Sequence, residues 1–172
     1  MFEESLITPE IKAMVGKEKV YENWDEIGPG LIKRFALAIG DNNPLYFDEE
    51  YARKSRYQGI IAPPTMIFEM SHNIGAELGE DGSPEDAWGR LPSPFKNIIR
   101  GGNEYEFYQP VRPGDVISTT NKIVQIYERP GKAGPMVFMI NELTYYNQRG
   151  EKLGLNRETV IFPYPKRDEG GS

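Results

Sequence analysis

The chain contains no cysteine and a single histidine, His72, among its 172 residues. Without cysteine there is no disulfide framework, no thiolate metal site and no cysteine nucleophile. One imidazole and no thiolate argue against a zinc site, so no metal ligand set is expected. A Ser-His-Asp triad would have to run through His72, and no serine stands in a Gly-x-Ser-x-Gly elbow. Gly-x-Gly-x-x-Gly and Walker-type loops are also missing, and no cofactor is expected. Positive charge is in deficit, with 20 basic against 26 acidic residues and a net charge of −6. That balance disfavours nucleic acid as a partner. No apolar run reaches the ~18 residues that span a membrane. The N-terminus, Met1-Phe2-Glu3-Glu4-Ser5, is acidic and has no apolar signal core. No membrane association is expected, and the expected compartment is the cytoplasm.

What is present reads as one domain over 1–165, followed by a polar, glycine-ended tail over 166–172 that is expected to be a disordered tail or linker. The first half is helical in pattern. Ile27 to Ile39 sets Leu31, Ile32, Phe35, Ala38 and Ile39 on one apolar face, and Gly40 ends that helix. A short helix is expected over Glu49–Lys54. A longer one begins near Pro63-Pro64-Thr65 and runs to Leu78, with Met66, Ile67, Met70, Ile74 and Leu78 as its apolar stripe. Residues 79–94 read as a loop. The second half is strand-like: Asn103–Tyr108, a turn over Pro110–Asp115, then Val116–Tyr127, Met136–Tyr146 and Lys152–Phe162, with one more strand near Lys17–Tyr21. Helices followed by long antiparallel strands make an α+β class. One long apolar helix before such strands fits a sheet wrapped around a central helix.

The segment Phe35-Ala36-Leu37-Ala38-Ile39-Gly40-Asp41-Asn42-Asn43-Pro44-Leu45-Tyr46 carries the most information. It resembles the hydratase segment of the MaoC-like family, whose pattern is an aromatic residue, four variable positions, Gly-Asp-x-Asn-Pro, an aliphatic residue and His. Tyr57 to Thr65, Gly101 to Phe107 and Arg112-Pro113-Gly114-Asp115 are similar to the branch named for the dehydratase domain of type I fatty acid synthase. The likeness runs from Gly16 to Phe162. It implies the hot dog fold and acyl-thioester chemistry, with coenzyme A or an acyl carrier protein as the substrate's carrier. In catalytic members an Asp and a His five residues apart activate one water for addition to an enoyl thioester. A backbone N–H at the start of the central helix stabilises the thioester oxygen.

Carried over position by position, Asp41 matches the family aspartate, and Asn43 and Pro44 match the turn. Tyr46 stands at the histidine position, where a phenol with a pKa near ~10 is a poor base. The family's His-Gly at the helix start falls on Pro63-Pro64, and proline has no N–H to offer. The resemblance also implies a substrate-facing set of Asn43, Gly59, Ile61, Ala62, Pro63, Pro64, Thr65 and Met66. Two missing parts of one mechanism suggest a non-catalytic, tunnel-forming subunit that works beside a MaoC-like chain carrying Asp and His. Such a subunit has room for a long or bulky acyl group, such as a very long chain or a steroid side chain.

Other readings stand beside this one. A self-sufficient homodimeric hydratase would use Asp41 with Tyr46 or His72. A binding module would hold acyl thioesters without turnover. Asp41 also suits a plain turn, and His72 a packed or half-exposed helix position. Met66, Ile67, Met70 and Ile74 line either a tunnel or the core. Arg34, Arg53, Lys54 and Arg56 either meet carrier phosphates or form a solvated face. Arg100-Gly101-Gly102 either admits a ligand or forms a bulge.

Overall fold

The computed structural model describes residues 5–22, 25–69, 89–92, 94–95, 97–132 and 134–164. Trp24, Met70, His72, Ile74, Leu78, Trp88 and the tail lie outside them.

Along the described chain run helix α1 (Pro9–Lys12), strand β1 (Glu18–Glu22), helix α2 (Pro29–Ala38), a 3-10 turn (Pro44–Tyr46), helices α3 (Glu49–Lys54) and α4 (Met66–Glu69), and strands β2 (Ile99–Phe107), β3 (Ile117–Gly131), β4 (Gly134–Asn147) and β5 (Lys152–Pro163). The strands form one antiparallel sheet in the order β1-β3-β4-β5-β2. Its centre is a meander of three long strands rich in β-branched and aromatic residues, which pack well on a pleated surface. The α+β class and each expected strand are present, and α1 was not anticipated from the pattern.

Proline opens α2, and the helix ends at Gly40, whose φ is +73°. The Gly40 N–H donates to the Leu37 carbonyl and the Asp41 N–H to the Ala36 carbonyl, at 3.1 and 2.9 Å. This double closure satisfies the last carbonyls and needs a left-handed residue at Gly40. The buried face of α2 differs from the expected one. Ile32 and Ala36 are fully buried and Phe35 half-buried, whereas Leu31, Ala38 and Ile39 are exposed. The i, i+4 pair Ile32–Ala36 is enough to seat a short helix on the sheet, so the remaining apolar residues stay outside. Helix α3 has the expected bounds, and the Asp48 carboxylate caps it by accepting from the N–H groups of Glu50 and Tyr51. Of the long helix expected to start near Pro63, the described part is Met66–Glu69 after a turn at Pro64-Thr65.

The bulge at Arg100-Gly101-Gly102 is the ordinary kind. The register of β2 on β5 slips there, and a Cβ on Gly101 would sit 2.9 Å from Thr159 and 3.0 Å from Ile161. Two apolar clusters lie against the sheet. One holds Ile32, Ala36, Tyr46, Ile61, Ala62, Met66, Ile67, Val111, Ile117, Tyr145 and Leu153. The other holds Ile11, Leu91, Phe95, Ile123, Val137, Met139, Val160 and Phe162.

Candidate acyl-thioester site

The segment after α2 is a chain of local caps. The Asp41 carboxylate accepts from the Asn43 N–H at 3.0 Å, and the Asn43 carboxamide oxygen accepts from the Leu45 N–H at 3.1 Å. These turns place Tyr46 inward, where it is 4% exposed within the first core cluster. The Tyr46 phenol is raised above its ordinary pKa, first by burial, then by the negative charge of Asp41 and a hydrogen bond to it. A phenol in that setting stays protonated beside the Asp41 carboxylate. Asp41 therefore braces the turn and faces Tyr46.

Beside this segment lies a cavity of about 480 Å³. It is lined by Arg56 and Tyr57, by Ile61, Ala62, Pro64 and Ile67, and by the run Phe107 to Arg112. Two backbone ties hold its walls in place. The Ile61 N–H donates to the Leu45 carbonyl at 3.3 Å, joining the cavity wall to the Asp41–Tyr46 turn. The Ala62 N–H donates to the Val111 carbonyl at 2.8 Å, joining it to the segment before β3. Of the residues expected to face substrate, Ile61, Ala62 and Pro64 line the cavity. Asn43, Gly59, Pro63, Thr65 and Met66 do not, although Gly59 sits beside the Arg112 guanidinium and Met66 is buried behind the wall. Asp41 and Tyr46 are likewise absent from its lining. His72 lies outside the described residues.

The cavity's charge comes from two arginines. The Arg56 guanidinium lies 4.7 Å from the Tyr57 ring centre and donates to the Tyr57 hydroxyl. Arg112 is half-buried, and its guanidinium makes no ion pair among the described residues. Its position is set through its own backbone, which donates to the carboxylate of Asp115 at 2.8 Å. Asp115 is 1% exposed and also pairs with Arg149 at 2.9 Å. Sequence reasoning named Arg56 and the Arg112–Asp115 turn without assigning them to one site. It passed over Tyr57, Phe107, Tyr108 and Gln109 as lining. Their signal is weak because they come from loops and strand ends with no periodicity. Among the described residues there is no cluster of three or more metal-ligating side chains, and no helix is long and apolar enough to cross a membrane.

The pattern described as "FAS1-like, dehydratase domain region" matches residues 13–154. This chain belongs to the FAS1-like dehydratase family, within the MaoC-like superfamily. A UPF0336 protein of Streptomyces avermitilis is 32% identical to this chain over 106 residues, covering 62% of the chain and 66% of the relative. A probable enoyl-CoA hydratase alpha subunit of Thermomonospora curvata is 28% identical over 151 residues, covering 84% of the chain and 47% of the relative. The chain thus spans about two thirds of the first relative's length and about half of the second's. Among solved structures, the MaoC-like dehydratase of Rhodospirillum rubrum is 25% identical with a TM-score of 0.62, covering 88% of this chain and 94% of that one. The ChsH1-ChsH2 complex of Mycobacterium tuberculosis is 22% identical with a TM-score of 0.70, covering 91% and 94%. These likenesses give this member of the FAS1-like dehydratase family the hot dog fold.

Proposed function

We propose that the chain is the non-catalytic, acyl-tunnel-forming subunit of a heteromeric enoyl-thioester hydratase or (3R)-hydroxyacyl-thioester dehydratase. The observation that carries this reading is the buried Tyr46 phenol beside Asp41. Hydration needs a base to take a proton from water and an acid to return one to the substrate. Tyr46 is buried and burial beside Asp41 raises its phenol pKa, so it keeps its proton and is a poor base for water. Pro64, on the wall of the neighbouring cavity, has no N–H for the thioester oxygen. The Asp and His come from a MaoC-like partner. Heteromeric assembly is seen in two structural neighbours, the ChsH1-ChsH2 complex and the HadBC (3R-hydroxyacyl-ACP dehydratase) complex.

The cavity of this chain receives the thioester. Arg56 and Arg112 meet the phosphates of coenzyme A or of a carrier protein's pantetheine arm, and the apolar wall of Ile61, Ala62, Ile67 and Val111 follows the chain inward. The decisive experiment is co-expression with a MaoC-like chain that carries Asp and His, followed by crotonyl-CoA hydration by each chain and by the pair. The expected result is a stable complex with activity confined to it. Good hydration by this chain alone would replace the reading with a self-sufficient hydratase. Thioester binding with no turnover in any pairing would replace it with a binding module.

A further inference from the structure

Lys54, Arg100, Lys122, Arg149 and Arg157 each pair with a carboxylate, on Glu50, Glu158, Glu18, Asp115 and Glu142 respectively. Arg56, Arg112 and Lys152 have no carboxylate partner among the described residues, and they gather around the thioester cavity. Arg56 and Arg112 line it. Lys152 reaches it through Tyr108, a lining residue whose ring centre lies 4.5 Å from the Lys152 Nζ. Arg56 is held in the same manner by the Tyr57 ring, at 4.7 Å. A ring face orients a cation without cancelling its charge. The acidic neighbours are engaged with other groups. Glu106 accepts from the Tyr108 hydroxyl at 2.6 Å. Glu151, whose carboxyl feels the charge of Arg112, pairs with Arg149 at 2.9 Å and accepts from the Asn147 carboxamide at 2.7 Å.

The cavity is graded from floor to rim. Ile61, Ala62, Ile67 and Val111 are buried. Arg112 and Lys152 are half-buried, and Arg56 and Tyr108 are exposed. An apolar floor takes an uncharged arm and its acyl group, whereas an ionised phosphate keeps its hydration only at a rim. The three cations therefore stand where the hydrophilic end of a thioester would lie.

Resting on the acyl-thioester reading, we propose that this rim selects coenzyme A over a carrier protein as the bearer of the acyl group, with Arg56, Arg112 and Lys152 as the selecting residues. Coenzyme A carries a pyrophosphate and a ribose phosphate, whereas the arm of a carrier protein carries a single phosphodiester. A cluster of cations free of carboxylates matches the larger anion, since each can make its own charge-assisted contact. A carrier protein would also have to bring its own acidic surface to this mouth. The net charge of −6 opposes that approach, and Glu104 and Glu106 are exposed on the strand that leads into the rim. A free nucleotide is small enough to meet the local cations alone.

The test is calorimetric binding of saturated, non-reacting probes to the full chain, alone and in complex with a MaoC-like partner. The probes are butyryl-CoA, butyryl phosphopantetheine, butyryl pantetheine and a butyryl-loaded acyl carrier protein. Butyryl-CoA is expected to bind at least tenfold tighter than each of the other three. Arg56→Ala and Lys152→Ala are each expected to weaken butyryl-CoA about fivefold and to leave butyryl pantetheine unchanged. Lys122→Ala removes a charge that is paired with Glu18 on the β1–β3 side of the sheet, and it is expected to leave the ratios as they are. Equal affinity for butyryl-CoA and butyryl phosphopantetheine in the unaltered chain overturns the proposal, and this arm needs no variant to fold. A loaded carrier protein that binds as tightly as butyryl-CoA overturns it too. So does a Lys122→Ala variant that narrows the ratios as much as Arg56→Ala, since net charge rather than the rim would then select. Equal binding of all four probes removes the proposal and keeps the acyl-thioester reading. Binding of none removes that reading, and the proposal with it.

Discussion

Two neighbouring regions of the molecule have exchanged the parts their sequences advertise. The Gly40–Asp48 segment bears the family's hydratase pattern, yet it turns inward: Tyr46 is buried, and the Asp41 and Asn43 side chains each accept from a local N–H. The walls built from Tyr57–Pro64 and Phe107–Arg112 carry no catalytic pattern, yet they are open and arginine-lined. The Ile61–Leu45 backbone bond described above joins the two regions. The contrast teaches that one turn can bear a motif and brace a cavity wall without lining that cavity. Gly40, Asp41, Asn43 and Pro44 still shape a turn that supports the cavity. On the proposed reading, the phenol at position 46 and the proline at position 64 keep that turn from moving protons.

The comparison is broken most severely by moving catalysis. In the active complex, replacing the partner's histidine is expected to lower kcat by at least ~100-fold, the usual weight of a general acid–base group. Asp41→Asn in this chain is expected to leave kcat within about threefold, as a residue outside the reacting centre does. Steady-state hydration of crotonyl-CoA by both variants checks this, and a large loss with Asp41→Asn would place chemistry in the inward-turned segment.

Next in size is the support of the open region. Asp115→Ala removes the carboxylate that holds the Arg112 backbone and pairs with Arg149. Because the group is buried, an unfolding free energy lower by about 3 kcal/mol is expected in urea titration. Arg112→Ala, by contrast, is expected to leave stability nearly unchanged and to raise KM for a coenzyme A thioester by about tenfold with kcat preserved, the loss of one charge-assisted contact made equally in ground and transition states. Equal KM values for the variant and the unaltered chain would end the assignment of Arg112 to the carrier.

The smallest effect sharpens the inward-turned region. Tyr46→Phe removes the buried hydroxyl beside Asp41 and is expected to cost about 1 kcal/mol at neutral pH. The pH dependence has a definite sign. The folded-state pKa of Tyr46 lies above its ordinary value, so the folded chain holds this proton more tightly than the unfolded chain. The stability it contributes is complete below the ordinary tyrosine pKa, near ~10, and is lost as pH rises through the folded value. Urea titrations between neutral and strongly alkaline pH are expected to show a shallower alkaline decline in Tyr46→Phe than in the unaltered chain.

Much of this was legible from residue order. The helix over Pro29–Ala38, its stop at Gly40, the helix over Glu49–Lys54 and the strands of the sheet follow from periodicity and turn chemistry, which act over a few residues. The buried face of α2 was not legible. Leu31, Ile32, Phe35, Ala38 and Ile39 satisfy the same spacing, and only contact with the sheet selects Ile32 and Ala36. Short α1 escaped notice because four residues are too few to show a period. At the site, the motif located the Asp41–Tyr46 turn. The cavity beside it was missed in part because its lining comes from three separated segments with no shared spacing.

The sequence by itself determined what local chemistry dictates: the class of fold, the family, the turn at Gly40–Pro44 and the substitution of a phenol for an imidazole at position 46. Tertiary structure alone decided that this phenol is buried beside Asp41 and that Arg56 and Arg112 meet on one cavity. The physical reason is range. Capping, periodicity and backbone conformation act within a turn of the chain, whereas burial, charge proximity and cross-strand alignment join residues far apart in sequence and exist only once the sheet has set its register.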